Sequence, residues 1–165
     1  MTPAEIQQAL QERFGDAIVQ FTEPQAGDAY VGVRADVLHQ VCRLLRDEGD
    51  FSFDFLRLVS GVDWGDKLSS VYHLYSYKHL HGVVLRVDLH REGPRVASVC
   101  DIWPAADWLE RECFDLLGII YEGHPELKRI LLPLDWEGHP LRKDYAFPAE
   151  YHGIKHESAK DNGSR

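Results

Sequence analysis

Glu110-Arg111-Glu112-Cys113-Phe114-Asp115-Leu116-Leu117-Gly118, then His124-Pro125-Glu126-Leu127-Lys128-Arg129-Ile130-Leu131, then Asp135-Trp136-Glu137-Gly138-His139-Pro140-Leu141-Arg142-Lys143-Asp144-Tyr145 form the stretch on which the reading of this chain turns. Its first part reads as the end of a helix. Pro104 opens it, Leu109, Cys113, Leu116 and Leu117 give an apolar side, and Gly118 is placed to stop it. Beyond Gly123 the periodicity disappears, apart from the apolar run Ile130–Leu134. Glu122-Gly123-His124-Pro125 and Glu137-Gly138-His139-Pro140 read as two similar turns. A segment carrying Trp136, Tyr145, Lys128, Arg129, Arg142 and Lys143 is both apolar and charged, a composition suited to docking on another protein. Burying Arg142-Lys143-Asp144 inside a small monomer would cost several kcal/mol wherever a charge went unpaired. The other possibility is that the arm folds back on its own domain, and both can hold for different parts.

Working outward, residues 3–14 predict a helix with Ile6, Ala9, Leu10 and Phe14 on one face, capped by Thr2 with Glu5 in a capping box and Pro3 at the first position. Ala17–Phe21 and Tyr30–Val33 predict short strands. Ala35–Glu48 predicts a second helix with Val37, Leu38, Val41, Cys42 and Leu45 on its stripe and Gly49 as the stop. Phe55–Val62, Val71–Tyr77, Val83–Leu89 and Val96–Ile102 follow as strands, with Gly65-Asp66 and His81-Gly82 as turns. Short links between consecutive strands point to antiparallel meanders rather than βαβ crossovers. The expected fold is α+β: a mostly antiparallel sheet packed with two to three helices over residues 1–120, an extended docking arm over 121–154, and a polar, disordered tail over 155–165.

The chain has 165 residues, 44% of them hydrophobic, so one domain of this length can bury a real core. A net charge of −9 argues against nucleic acid, which needs a basic face. No apolar run reaches the ~18–20 residues of a membrane span. The N-terminus reads as a helix start rather than a signal peptide, which places the chain in a cytoplasmic compartment. Cys42, Cys100 and Cys113 lack Cys-x-x-Cys spacing and read as buried, reduced thiols; three cannot supply the four ligands of an ordinary iron–sulfur cluster. His73, His79, His81 and His90 lack a completing acid or thiol and read as solvent-facing strand and turn residues. No nucleophile elbow and no glycine-rich phosphate loop is present. Glu112 and Asp115, three apart on one helix, could form a carboxylate–histidine metal site with His124. Arg111 and the basic residues of the arm make charge pairing the better account, with no metal bound.

The quoted stretch resembles the signature of the C-subunit family of NADH-quinone oxidoreductases, which belongs to the peripheral arm of respiratory complex I. Glu110-Arg111-Glu112 with Asp115, then His124, Lys128 before Ile130-Leu131, and the run Asp135–Tyr145 carry the resemblance. Weaker echoes lie at Leu58–Trp64 and Ile102-Trp103-Pro104, so it spans most of the chain after about residue 54. It implies a protein with no catalytic residue and no bound cofactor. Its neighbours would be the larger D subunit, which helps form the quinone pocket, and other members of the peripheral arm. NADH, flavin, iron–sulfur clusters and quinone (ubiquinone among them) would lie on those other subunits. Held through the complex, the chain would sit on the cytoplasmic side of the bacterial cell membrane while the membrane arm pumps protons. The candidate partner-facing residues are Glu110, Arg111, Glu112, Asp115, His124, Lys128, Arg129, Asp135, Trp136, Arg142, Lys143, Asp144 and Tyr145. The same signature allows the equivalent member of a ferredoxin-driven or hydrogenase-related complex, although the intact Asp135–Tyr145 run favours quinone reduction. In a different class stands a small metal-dependent hydrolase using Glu112, Asp115 and His124.

Overall fold

The computed structural model describes residues 1–155. The tail expected to be disordered lies, Lys155 apart, outside the described residues. The first helix, α1 (Pro3–Phe14), starts as its sequence requires: Thr2 N–H donates to Glu5 Oε2 at 2.7 Å while Glu5 N–H donates to Thr2 Oγ1 at 3.3 Å. Strands β1 (Ile18–Thr22) and β2 (Tyr30–Val33) pair antiparallel. Helix α2 (Leu38–Asp47) begins three residues later than its apolar stripe suggests. Arg34 and Asp36 pair side chain to side chain, and Val37 N–H donates to Arg34 O, which closes a turn there instead.

Strands β3 (Phe55–Asp63), β4 (Lys67–Ser76) and β5 (His81–His90) form the expected antiparallel meander, and the sheet order is β1-β2-β5-β4-β3. Strand β2 lies parallel to β5, because α2 carries the chain from one side of the sheet to the other. The five-stranded sheet is therefore mixed but mostly antiparallel, as the sequence leads one to expect. His81-Gly82 do not form the β4–β5 turn; residues 77–80 do, with Leu80 at φ +51°. His81 is consequently buried, not solvent-facing. Its Nε2 bonds Phe51 O at 3.0 Å and its ring stacks on Phe53, which satisfies both the polar and the apolar parts of the imidazole.

The fourth run yields only β6 (Arg95–Ala97), which pairs in parallel with β7 (Ile120–Glu122) across helix α3 (Ala106–Leu117). That unit is a helical crossover, contrary to the meander expectation. Ser98 N–H still bonds Glu122 O of β7, but Ser98 Oγ and Val99 N–H turn to a carboxylate on α3, and the strand ends there. A final hairpin, β8 (Glu150–Tyr151) and β9 (Ile154–Lys155), closes the described chain.

Alternation along β4 and β5 sends Leu68, Tyr72, Leu74, Leu85, Val87 and Leu89 inward, where they join the apolar stripes of all three helices in one core. The opposite face stays open. Helix α3 approaches β3 so closely that a Cβ on Gly61 would stand 2.3 Å from Leu117 Cδ1 and 3.3 Å from Ile119 Cδ1. Gly61→Val should therefore lower unfolding free energy by about 1–3 kcal/mol through overpacking. Urea denaturation measures this, and an unchanged midpoint would refute the tight α3–β3 seam.

Candidate functional site

Every α-helix ends with carbonyls that lack an intrahelical partner. At the C-terminus of α3, Gly118 adopts φ +75°, and its missing side chain leaves room for His139 and Arg142, which a Cβ would meet at 2.6 and 2.8 Å. The arm then satisfies the orphan carbonyls one by one. His139 Nδ1 bonds Asp115 O at 2.9 Å, Leu141 N–H donates to Leu116 O at 3.0 Å, and Arg142 Nε donates to Leu117 O at 2.7 Å. Placing Arg142 and Arg129 there also complements the negative end of the helix dipole.

Asp115 organises the other half of the arm. Its side chain is fully buried. Oδ2 accepts the successive N–H groups of Ile130, Leu131 and Leu132 at 3.0, 2.8 and 2.8 Å, and Oδ1 receives Arg129 Nη1 at 2.7 Å. Arg129 continues to Trp136 O at 2.9 Å and Gly138 O at 3.0 Å, so one guanidinium ties three parts of the arm together. Burial opposes ionisation of Asp115, but the backbone N–H groups and Arg129 outweigh it and hold its pKa below the ordinary carboxylate value. A second buried carboxylate, Asp63 at the end of β3, fastens the far end. It accepts from Arg91 Nη1 at 2.6 Å, Lys143 N–H at 2.8 Å and Gly65 N–H at 2.7 Å, while Arg91 also pairs with Asp144. Arg91, then the desolvation it overcomes, sets the strongly lowered pKa of Asp63.

Glu110, on the opposite side of α3, has no cation within salt-bridge distance among the described residues. It is fully buried and accepts from Ser98 Oγ at 2.6 Å, Val99 N–H at 2.8 Å and Cys100 Sγ at 3.3 Å. Burial raises its pKa, against those hydrogen bonds. Cys100, Glu110 and His124 place one ligand atom each within 4.8 Å of one another, the one such trio among the described residues. Its hydrogen bonds argue against a metal. Glu126 N–H donates to His124 Nδ1 at 3.0 Å, so the proton sits on Nε2, which donates to Asp107 O at 3.1 Å. Neither imidazole nitrogen keeps a free lone pair. The Glu112–Asp115–His124 set is not brought together at all, since Asp115 faces the arm.

The remaining candidate residues divide clearly. Arg111 donates to Lys128 O and Arg129 O at 3.2 and 3.3 Å, and Lys128 pairs with Glu126 at the surface. Asp135 accepts from Tyr151 and His152. Trp136 is half-buried with its ring 4.9 Å from that of Tyr151, and its Nε1 is shielded without a partner. Tyr145 donates to Glu137 O at 3.0 Å. Of the candidates, only the side chains of Glu112, Trp136 and Lys143 lack an intramolecular polar partner among the described residues. Most of the charge that suggests a partner is thus used within the chain. Leu131, Leu134, Leu141 and Phe147, by contrast, are 59–84% exposed. Sequence reasoning misses them as surface residues, since an apolar run reads as core. It misses Asp63 and Arg91 because their partners lie far along the chain.

Residues 31–151 match the family described as respiratory-chain NADH dehydrogenase, 30 kDa subunit. The chain is 39% identical over 148 residues to the C subunit of NADH-quinone oxidoreductase from Chloroherpeton thalassium, covering 88% of this chain and 62% of that one. It is 44% identical over 133 residues to the protein of the same name from Saccharopolyspora erythraea, covering 77% and 53%. The chain therefore spans little more than half to three-fifths of these two relatives. Among solved structures, a trypsin-resistant fragment of Nqo5 superposes with TM-score 0.61 at 27% identity, over 74% of this chain and 98% of the fragment.

Removing Asp115 strands Arg129 and three N–H groups, so Asp115→Ala should cost roughly 3 kcal/mol and free residues 129–142 to exchange hydrogen faster. Unchanged protection at 130–132 would refute the pinning role. Acid should act similarly. Asp63 and Asp115 have lowered folded-state pKa values, so their contribution is fully present above the ordinary value of about 4 and is lost as pH falls through the depressed values. Glu110, with a raised value, has the opposite sign: its contribution is present below its ordinary pKa and is lost as pH rises through the raised one. Hydrogen exchange, corrected for intrinsic rates, should show the arm opening on acidification before the sheet does.

Proposed function

The chain belongs to the respiratory-chain NADH dehydrogenase 30 kDa subunit family, and from that premise we propose that it is a cofactor-free structural subunit of an NADH-quinone oxidoreductase, packed beside the subunit that forms the quinone pocket. One observation supports this most. The arm is locked to α3 by hydrogen bonds to its buried Asp115 and its last carbonyls, yet it turns Leu131, Leu134, Leu141 and Phe147 to solvent. Large apolar side chains held outward on a fixed backbone lose little entropy on association and bury well against a partner. Around them Glu112 and Lys143 offer charges for a polar rim. In this reading Arg129, Arg142, Asp115 and Asp144 shape the docking element instead of touching the partner, and Trp136 supports it from behind.

The redox chemistry is assigned to neighbouring subunits that carry NADH, flavin, iron–sulfur clusters and quinone. This chain's own thiols are poor ligands: burial pushes Cys100 up to about 12 and Cys113 up to about 11, and raises Cys42 further. No helix of the described residues is long and apolar enough to cross a membrane. Attachment to the cytoplasmic face of a bacterial membrane would then come through the assembled complex.

A tagged chain purified from host membranes in mild detergent should retain the quinone-pocket subunit. Leu134→Glu should reduce that retention at least tenfold while the melting temperature of the isolated chain stays within about 2 °C, because surface substitutions change stability little. Full retention by Leu134→Glu would refute docking through the arm. The isolated chain should also be colourless and unable to oxidise NADH; a stoichiometric iron–sulfur absorption band would overturn the structural role.

A further inference from the structure

The open face of the sheet and the free edge of β3 carry a second surface that the arm does not use. Three depressions adjoin there and share walls, two on the open face and one between the β3 edge and α3. One of about 510 Å³ lies between Phe55, Arg57 and Trp108. The next, about 350 Å³, is formed by Phe55, Arg57, Tyr75 and Tyr77. The third, about 250 Å³, takes in Arg57, His73, Tyr75 and Gly82. Shared residues make them one trough running from α3 across the end of β3 and over β4 to β5. From β3 across β4 to β5 the part on the sheet spans two strand spacings, about 10 Å.

Its lining is aromatic. Tyr75 and Tyr77 meet edge to face at 5.2 Å, Phe55 lies 5.4 Å from Tyr77, and Trp108 is 70% exposed. Arg57 stands where all three depressions meet, its guanidinium 5.8 Å from the Tyr75 ring centre. No carboxylate lies within 4.0 Å of it among the described residues. Other cations of this face are paired: Lys67 and Arg86 both bond Asp88, at 2.6 and 2.7 Å. Two acids border the trough without reaching Arg57: Asp28 lies 3.8 Å from His73 of the same lining, and Asp107 lies 3.5 Å from His124 and 4.0 Å from Arg111. The chain has 27 acidic residues against 18 basic, so an unpaired arginine at the centre of an aromatic trough is set against the general charge of the molecule.

We propose that the trough receives an extended segment of another subunit, with an Asp or Glu that docks on Arg57 and apolar side chains that lie against Phe55, Tyr77 and Trp108. The Tyr75 ring beside the guanidinium helps to hold it in place, and its N–H groups are available for a two-pronged bond to a carboxylate. Aromatic rings and arginine are the residues that carry most binding energy at interfaces. The proposal rests on the reading of this chain as part of a multi-subunit assembly, and it uses β3, β4, β5 and the start of α3 rather than the arm.

The test is a photocrosslinking residue, p-benzoylphenylalanine, placed at Tyr77 of the full chain in the assembled complex, with the product mapped by mass spectrometry. The crosslink should fall in one short segment of another subunit, within about four residues of an Asp or Glu. Arg57→Glu should cut its yield at least tenfold, and reversing that acid to Lys in the partner should restore it. Arg57→Glu should leave the melting temperature of the isolated chain unchanged, since no acid of the described residues pairs with Arg57. Subunits that co-purify normally without any crosslink at position 77, or a yield insensitive to Arg57→Glu, would overturn the trough while leaving the assembly reading intact. Absence of any co-purifying subunit from the wild-type chain would overturn both.

Discussion

The buried carboxylate of Asp115 is the constraint from which the C-terminal third of the molecule follows. An ionised group with no solvent access must be met by donors on every side, or it costs several kcal/mol. Three consecutive backbone N–H groups and one arginine meet it. That requirement fixes where residues 129–132 lie, and Arg129 then fixes Trp136 and Gly138. Because Asp115 is two residues from the end of α3, the same segment is in place to cap the helix carbonyls through His139, Leu141 and Arg142. The arm has no helix or strand between Gly123 and Pro148, yet most of its key polar groups have assigned partners. Prolines suit this arrangement, since they remove donors that would have no partner and narrow the unfolded ensemble.

Glu110 shows the opposite solution on the same helix. It lies five residues earlier, equally buried, but neutral donors surround it and no guanidinium approaches. The two carboxylates shift in opposite directions for that reason. Each fastens an irregular segment to α3: Glu110 the loop after β6, Asp115 the arm. The helix thus works as a post between β3 and the two segments that have no sheet of their own to join.

What can be read in the sequence follows from the range over which each signal acts. The Thr2-Pro3-Ala4-Glu5 cap, the Leu38–Leu45 stripe, the Gly65-Asp66 turn and Gly118 are local, and each sits where expected. The parallel β2–β5 and β6–β7 pairs depend on where the chain returns after a helix, which no short window records. Glu110 and Asp115 read as the charged edge of an amphipathic helix because their partners lie ten or more residues away and include backbone N–H groups, which have no residue type. His81 reads as a turn residue because its neighbour is glycine; its burial comes from Phe51 and Phe53, some thirty residues earlier in the chain. The site stretch is legible as special, but its internal use of charge is not.

That internal use changes what the surface can do. An arm whose arginines were free would bind through charge, and its affinity would weaken with salt. Here Arg129 and Arg142 are committed to α3, so the outward side of the arm is left to leucine and phenylalanine. Association through such a side is driven by area removed from water and is steady against ionic strength. The sheet face is arranged the other way, with one uncommitted arginine among tilted and edge-to-face rings. A surface of that kind contributes selectivity, because a segment lacking a carboxylate would bury the guanidinium unpaired. On the proposed reading these two surfaces, built on different physics, divide the work of assembly, the arm contributing affinity and the trough discriminating among segments that reach it.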